Sequence, residues 1–306
     1  MTSEPVAVKQ TRAAAVRRRR LAMTVSVLLT TTVGVVLATT LPANSHARTR
    51  HTPPTTPQPD IRQTAAATPV GTLHQLLEKY IDTRHGAVSV AVYDVVAKKL
   101  TVVHPKLRGR TASIVKVDIL ETLLHRTGGH LTDDQRETAT SMIENSNNNS
   151  ATELWNEDGG APGVHAYNDD VGLTQTTPNV DWGNTTTSAP DQVTLIRTLL
   201  TRSTLLTDSA RRFQRRLMRH VEADQRWGIS GGVPSTATIG IKNGWLPVSA
   251  DNDLWAVNSI GWVNGNGKYY MIAVLTQHQS TEDYGIDTIQ HAARIVWQHM
   301  TVAPAK

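Results

Sequence analysis

Residues 253–277 read DLWAVNSIGWVNGNGKYYMIAVLTQ, and this stretch decides the fold. Two runs rich in β-branched and aromatic residues, at about 253–263 and 268–277, flank the turn sequence Asn264-Gly265-Asn266-Gly267. Asn-Gly pairs between such runs favour a tight β-hairpin, because Asn and Gly tolerate the positive φ angles that the turn needs. The stretch therefore predicts two long antiparallel strands that pair directly.

Further elements are expected on both sides of this hairpin. A strand at about 236–245 precedes it, and a helix at about 283–300 follows it. Upstream, the residue pattern predicts strands at about 87–93 and 98–103 and helices at about 71–83, 111–125, 131–144, 150–156, 162–170, 189–203 and 208–222. This order predicts an α+β (α/β/α) fold, in which terminal helices flank an antiparallel five-stranded sheet and an all-helical second lobe is inserted.

The first 47 residues have the layout of an export signal. Arg17–Arg20 precede an uncharged run from Leu21 to Leu41, and the small-residue pattern Ser45-His46-Ala47 follows. This layout is typical of a secretory signal peptide, but the apolar run also reaches the roughly 20 residues of a membrane helix. We expect either cleavage after Ala47 or a retained anchor whose residues 21–41 contact the membrane. In both cases the remainder is exported, either secreted or anchored to the outer face of the cytoplasmic membrane.

Composition separates a linker at 48–69 from a folded domain at 70–306. The linker is rich in Pro and Thr and has almost no large apolar residue, which predicts disorder. Of the 31 Lys and Arg residues, eight lie in residues 1–50 beside a single acid, so the domain itself is not basic and no nucleic-acid partner is expected. The chain has no cysteine and no His-Glu-x-x-His pattern. We therefore expect no metal and no cofactor. The domain is expected to be a monomer.

One predicted helix is strongly basic on one face. The face comprises Arg211, Arg212, Arg215, Arg216 and Arg219. A charged face of this kind is most often solvated, and an anionic wall polymer is the alternative partner that we consider.

Ser113-Ile114-Val115-Lys116 is the first candidate catalytic motif. A serine and a lysine three residues apart lie on the same face of a helix, and the start of a helix offers unpaired N–H groups and the positive end of the dipole. A partly desolvated lysine has a lowered pKa and can take the proton of the serine hydroxyl. Alone, the spacing also fits an ordinary first helical turn with a solvated lysine.

Ser146-Asn147-Asn148 is the second motif, placed after a predicted helix. A hydroxyl and an amide two residues apart in a tight loop can point into one cleft. Ser146 would then relay a proton to a leaving group, and Asn148 would hold a substrate amide carbonyl. Taken alone, the segment fits a polar loop that ends a helix, because Asn and Ser favour such positions.

Lys242-Asn243-Gly244 is the third motif and ends a predicted strand just before Trp245. The backbone N–H of Trp245, together with that of Ser113, could form an oxyanion hole. Lys242 would add positive potential for a substrate carboxylate. Taken alone, the segment fits a strand-terminal turn.

Together and in this order, the three motifs resemble those of the serine β-lactamases and penicillin-binding proteins, particularly class A. The resemblance covers the chain from about residue 70 to the end. It implies a small-molecule β-lactam or a wall peptide as substrate. It also implies that Ser113 is the acylated nucleophile, Lys116 the base and Ser146 the proton shuttle. The implied substrate-binding residues are Asn148, Lys242, Gly244 and Trp245.

The sequence departs from the class A pattern at three points. Asn147 stands where class A has aspartate, and Asn243 stands where it has threonine. The loop 172–184, GLTQTTPNVDWGN, contains no Glu-x-x-Leu-Asn, and its only acid, Asp181, reads as a capping or turn carboxylate. The loop thus offers no evident deacylation base, which implies slow deacylation.

Three hypotheses of function follow. The first is an exported serine hydrolase of the class A β-lactamase-like type, acylated at Ser113 by a β-lactam or a related amide or ester. The second is a penicillin-binding type of cell-wall peptidase that acts on D-alanyl peptides, and the missing glutamate favours it over rapid β-lactam turnover. The third is a catalytically silent domain that binds wall or other ligands through the cleft.

Overall fold

The structure, a computed structural model, describes residues 71–304. The α-helices in this range are α1 (Leu73–Ile81), α2 (Val115–Arg126), α3 (Asp133–Glu144), α4 (Asn148–Glu157), α5 (Gly160–Val171), α6 (Ala189–Leu200), α7 (Asp208–Arg219) and α8 (Glu282–His299). The strands are β1 (Ala87–Asp94), β2 (Lys99–Val103), β3 (Arg108–Arg110), β4 (Thr186–Ser188), β5 (Thr238–Val248), β6 (Leu254–Gly265) and β7 (Lys268–Gln279). The predicted signal or anchor at 1–47 and the predicted linker at 48–69 lie outside the described residues.

The main sheet has the strand order β2-β1-β7-β6-β5, with every pair antiparallel. The predicted hairpin is its centre: Gly265 pairs with Lys268, and the two turn residues between them, Asn266 and Gly267, have φ angles of +52° and +75°. These angles explain why the turn carries Asn and Gly. The predicted five-stranded antiparallel sheet and the α+β fold class are confirmed.

Two hydrophobic cores lie on opposite faces of this sheet. Strand β7 contributes to both: Ile272 and Val274 pack with the terminal helices α1 and α8, while Met271, Ala273 and Leu275 pack with the helices of the inserted lobe. A strand that is buried on both faces reads as a continuous apolar run rather than an alternating one. Among residues 71–304, no helix is both long enough and apolar enough to span a membrane.

A second, two-stranded sheet was not predicted. Strands β3 and β4 pair antiparallel, with Arg108 opposite Ser188 and Arg110 opposite Thr186. Each strand has three residues, which is too short for an alternating pattern to be recognised. This small sheet ties the segment before α2 to the segment before α6 and so places the loop 172–184 beside the start of α2.

Candidate active site

Ser113 lies in a short 3₁₀ turn, Ala112–Ile114, which leads directly into α2. The preceding Ala112 has a φ angle of +48°, a left-handed conformation that is costly for a residue with a Cβ. A backbone hydrogen bond of 2.8 Å from the Thr111 N–H to the Thr185 carbonyl fixes the approach to the turn. Strained backbone of this kind is found mainly at functional sites. The nucleophile candidate is therefore held in place by its neighbours, and its side chain is buried.

Lys116, in the first turn of α2, is buried and points back to Ser113. Its Nζ lies 2.9 Å from Ser113 Oγ. Three more oxygen atoms surround this nitrogen: the Ser146 carbonyl at 2.8 Å, Ser146 Oγ at 3.2 Å and Asn148 Oδ1 at 2.7 Å. Burial lowers the pKa of Lys116 well below its ordinary value, and the charge of Lys242 lowers it further. A neutral amine at this distance can act as the base for the serine hydroxyl.

Ser146 connects α3 to α4, and its φ angle is +55°. Its Oγ lies 3.2 Å from Lys116 Nζ and 2.9 Å from Lys242 Nζ, so one hydroxyl bridges two amines. The next residue, Asn147, is exposed and caps α4, because its Oδ1 accepts a hydrogen bond of 3.1 Å from the Ser150 N–H. Asn and Asp cap helices about equally well. The asparagine in the middle of the motif thus supports the start of α4.

Asn148 is the first residue of α4 and is half-buried at the same cleft. Its Oδ1 faces Lys116, so a contact with a substrate carbonyl would have to use the amide nitrogen. The structure therefore adds a second role to the predicted one, because Asn148 helps to hold the candidate base in position.

Lys242 reaches the cleft from β5. It is buried, and its Nζ donates hydrogen bonds to Ser146 Oγ at 2.9 Å and to the Asn243 carbonyl at 3.1 Å. Burial lowers its pKa to about 7. Two residues further on, Gly244 lies against the 3₁₀ turn: a Cβ on Gly244 would be 2.6 Å from the Ser113 backbone nitrogen. Glycine is needed here for this close approach, which brings β5 alongside the nucleophile.

The side chains of Trp245 and Asn243 point to the other face of β5. The Trp245 ring packs edge-on against Trp227 at 5.6 Å, within the core below the terminal helices. The Asn243 amide donates hydrogen bonds to the carbonyls of Gln225 and Trp227 at 2.7 and 2.9 Å. Only the backbone N–H of Trp245 is therefore available for its predicted role in an oxyanion hole. The asparagine of the third motif fastens the segment before β5.

Trp182 is the site residue that sequence reasoning missed. Lys116 Nζ lies 4.9 Å from the centroid of its ring, and its Nε1 donates a hydrogen bond of 3.1 Å to Thr152 Oγ1. The ring is almost fully buried, whereas Asp181 beside it is exposed. Trp182 is the single aromatic residue of the loop 172–184, and this was the available signal.

No carboxylate among the described residues contributes to the pKa shift of either lysine in the cleft. The same part of the chain holds no group of three or more His, Cys, Asp or Glu side chains that could bind a metal ion. The site is built from two hydroxyls, two amines, the Asn148 amide and an aromatic cover. That chemistry suits acyl transfer to a serine by way of a lysine base.

A family model described as "Beta-lactamase enzyme family" matches residues 130–300. Among solved structures, the TLA-1 extended spectrum beta-lactamase is 19% identical, and the alignment covers 74% of this chain and 97% of that one with a TM-score of 0.66. A beta-lactamase from Chitinophaga pinensis is 18% identical over 75% and 99% of the two chains, also with a TM-score of 0.66. PBP-A is 21% identical over 74% and 94%, with a TM-score of 0.65. No curated protein sequence matches this one.

Proposed function

The chain belongs to the beta-lactamase enzyme family, and from this premise we propose that it is an exported serine hydrolase acylated at Ser113 by a β-lactam or a related amide or ester. One observation carries the proposal. Three separate motifs bring the side chains of Ser113, Lys116, Ser146 and Lys242 together, and consecutive polar atoms are 2.9–3.2 Å apart. In the proposal, this chain of contacts carries a proton from the nucleophile towards the leaving group.

In the proposed acylation, neutral Lys116 takes the proton of Ser113 Oγ while that oxygen bonds to the substrate carbonyl carbon. The backbone N–H groups of Ser113 and Trp245 stabilise the negative charge on the carbonyl oxygen. The proton then passes from Lys116 through Ser146 Oγ to the leaving nitrogen or oxygen as its bond to carbon breaks. The products are an ester on Ser113 and a protonated leaving group, with Lys116 neutral again.

Deacylation is proposed to be slow, because Trp182 covers one side of Lys116. The lysine nitrogen already has four oxygen neighbours within 3.2 Å, and the indole ring occupies a further side. A water molecule therefore has little room beside the base as long as the acyl group and the leaving group fill the cleft. Asp181 is exposed to solvent and is not proposed as a deacylation base.

Incubation with a fluorescent penicillin, followed by mass spectrometry of the intact protein, tests the acylation. We expect a single adduct that peptide mapping places on Ser113 and that Ser113→Ala abolishes while the variant keeps the wild-type melting temperature. Absence of an adduct with penicillin and also with an activated thioester would reject the proposal. The hypothesis of a catalytically silent ligand-binding domain would then remain.

A D-alanyl-peptide wall peptidase is the second candidate, and the loop 172–184 favours it because it contains no glutamate that could serve as a deacylation base. A linear peptide loses its leaving group after acylation, which opens the cleft to water or to an acceptor amine. Release of D-alanine from a wall peptide ending in D-alanyl-D-alanine separates this candidate from a β-lactamase. Release that depends on Ser113, without measurable turnover of β-lactams, would assign the peptidase.

Export is proposed from the sequence alone, because Arg17–Arg20 precede the uncharged run 21–41. Fractionation of cells that produce the full chain tests it. A mature protein that begins after Ala47 indicates a cleaved signal, whereas full-length protein in the membrane fraction indicates a retained anchor. Full-length protein that stays in the cytoplasm would overturn the proposal.

A further inference from the structure

An open groove lies between α3 and α7, outside the proposed catalytic cleft. We call it the arginine groove; its volume is about 640 Å³. Arg136, Thr140, Ser141 and Asn145 line one wall, and Phe213 and Arg216 line the other. Arg136 and Arg216 are both exposed, so their charges face solvent at the mouth of the groove.

The two arginines are held by the aromatic ring between the helices. The guanidinium carbons of Arg136 and Arg216 lie 5.5 and 5.6 Å from the centroid of Phe213. Neither guanidinium forms an ion pair or a side-chain hydrogen bond with another residue of the range 71–304. Stacking on a ring restricts a guanidinium without using its N–H donors, and therefore leaves these donors oriented for an anion.

The positive charge is concentrated at this place. Helix α7 carries five arginines within twelve residues, whereas residues 71–304 as a whole contain more acidic than basic side chains. Arg211 is neutralised by Asp208. The remaining charges of α7, on Arg212, Arg215, Arg216 and Arg219, have no ion-pair partner among the described residues. Unpaired charges on one helix face create a local positive potential that attracts a polyanion.

Several features favour a phosphodiester polymer as the occupant. The guanidinium fork fits a phosphate oxygen pair, and the hydroxyl of Ser141 in the groove can donate a further hydrogen bond. A membrane surface fits less well, since none of the exposed large apolar residues of the described range, Leu100, Val180 and Val302, lines the groove. Nucleic-acid bases also fit poorly, because Phe213 is partly buried and two guanidiniums already lie over its ring.

We propose that the arginine groove binds a flexible anionic polymer with phosphodiester repeats, of the kind found in wall polymers. Arg136 and Arg216 contact one phosphate, and the other arginines of α7 contact its neighbours along the polymer. The groove ends at Asn145, the residue before Ser146, so a bound polymer would hold the domain with its cleft close to the material around the polymer. This binding is independent of the acylation chemistry.

Binding of lipid-free poly(glycerol phosphate), measured by isothermal titration calorimetry at low and high salt, tests the proposal. We expect binding that weakens as salt rises, because counterions compete for the same charges. The double variant Arg136→Gln/Arg216→Gln should bind about tenfold more weakly or worse. The matched control Arg202→Gln/Arg294→Gln, which removes two exposed arginines elsewhere, should bind like the wild type. Acylation by fluorescent penicillin should be unchanged in both variants.

Glu137 provides a test of opposite sign, because its carboxylate also lines the groove. Glu137→Gln removes a repelling charge and should tighten polymer binding by about twofold to fivefold. This variant keeps the test decisive if the double arginine variant does not fold. The proposal fails if the wild type does not bind the polymer, if the control pair weakens binding equally, or if Glu137→Gln weakens it. Stronger binding to single-stranded DNA or to anionic vesicles than to poly(glycerol phosphate) would assign the groove to that partner instead.

Discussion

Lys116 and Lys242 lie on either side of one hydroxyl, and burial rather than a counter-ion determines their charge. Ser146 Oγ is 3.2 Å from the first amine and 2.9 Å from the second. Two ammonium groups this close in a buried site repel each other, so protonation of one disfavours protonation of the other. The charge on Lys242 is thus one of the causes that keep Lys116 able to accept a proton.

Removal of the charge of Lys242 should change the pH dependence of acylation. In the wild type the acylation rate rises with pH as Lys116 becomes neutral, and Lys242 lowers the pKa at which this occurs. In Lys242→Gln that lowering is lost, so the rising limb should move to higher pH. Stopped-flow acylation with a neutral activated ester between pH 5 and 10 measures the shift without involving a substrate carboxylate.

Lys242→Arg is the matched control, because it keeps the positive charge at this position. Its rising limb should stay close to that of the wild type even if the maximal rate falls. An unchanged limb in Lys242→Gln would show that the two amines are not coupled. A rate that is flat with pH in the wild type would remove Lys116 as the base.

Substrates with a carboxylate should show a second, falling limb. The pKa of Lys242 is lowered to about 7, so Lys242 loses its charge as pH rises through this value. Attraction of a substrate carboxylate should therefore weaken above about pH 7, and the second-order rate constant for acylation by penicillin should be bell-shaped. The neutral ester in the same pH series should give the rising limb alone. A falling limb with both substrates would assign it to another group.

Trp182 should control how long the acyl-enzyme lasts. Trp182→Ala removes the ring that lies 4.9 Å from Lys116 Nζ and opens space for water beside the base. We expect the penicillin adduct to disappear about tenfold faster, which corresponds to about 1.4 kcal/mol of activation free energy. Intact-protein mass spectrometry after removal of excess penicillin measures the decay.

Trp182→Phe is the control for the ring itself. It keeps an aromatic cover but loses the hydrogen bond from Nε1 to Thr152, so its adduct should decay nearly as slowly as that of the wild type. Thr152→Val removes the same hydrogen bond from the other side and should behave alike. Equal decay in Trp182→Ala and the wild type would exclude the ring as the cause of slow deacylation.

At the level of elements, the sequence predicts the long periodic helices and strands. It does not predict very short strands or contacts between residues that are distant in the sequence. The sequence pattern predicted the eight α-helices and the five main-sheet strands of residues 71–304, because each spans enough residues to show its period. Strands β3 and β4 have three residues each, which is too short to show a period. They also pair across a long sequence separation, with residues 108–110 opposite residues 186–188. The cover over Lys116 was missed for the same reason: Trp182 reaches α2 only through the tertiary fold.

Helix α2 shows a further limit of the periodic pattern. Its sequence indicates one apolar face, yet residues 115–124 are buried all round, because α2 runs through the interior between the sheet and the other helices.

Two acidic residues of α2, Asp118 and Glu121, are therefore buried. Asp118 accepts a hydrogen bond of 3.0 Å from Asn168. Glu121 accepts hydrogen bonds from Tyr167 at 2.7 Å and Thr198 at 2.5 Å. Burial raises the pKa of both carboxyls.

Asp118 should make the protein less stable as pH rises. Burial raises its pKa to about 7 from 3.8. Between these values the folded state keeps the proton while the unfolded chain releases it, so the free energy of unfolding falls with rising pH. Asp118→Asn cannot titrate. Relative to the wild type, the variant should therefore gain stability as pH rises from about 4 to about 7, by up to about 4 kcal/mol.

Urea unfolding of both proteins at several pH values measures this difference. Asp253→Asn, at an exposed position, is the control and should keep a constant offset from the wild type. Parallel stability curves for Asp118→Asn and the wild type would mean that Asp118 is ionised in the folded protein.

At the scale of the whole molecule, the cleft exists because three parts of the fold meet. The 3₁₀ turn supplies Ser113, the connection between two lobe helices supplies Ser146, and the edge strand β5 supplies Lys242. The residue types and spacings of these motifs could be recognised in the sequence, and their resemblance to a known set predicted that they would converge. The sequence did not reveal that an indole ring lies over Lys116, which adds a second physical reason to expect slow deacylation.

This arrangement predicts different outcomes for cyclic and linear substrates. With Trp182 over one side of Lys116, we expect water to approach the base mainly from the side where the leaving group departs. A β-lactam keeps its leaving nitrogen attached to the acyl group, so that side stays filled and the adduct should persist. A linear thioester with the same acyl group loses its thiol, so water can enter and turnover should follow, faster by about tenfold or more per acylation.

Both substrates are to be measured on one preparation, as loss of penicillin and release of thiol over many equivalents of protein. We expect penicillin consumption to stop near one equivalent while thiol release continues, and Ser113→Ala to abolish both. In Trp182→Ala the two rates should approach each other, because water then reaches the acyl group from the opened side as well. Penicillin turnover as fast as thioester turnover in the wild type would require a second path for water, and the indole ring would then not determine which substrates are released.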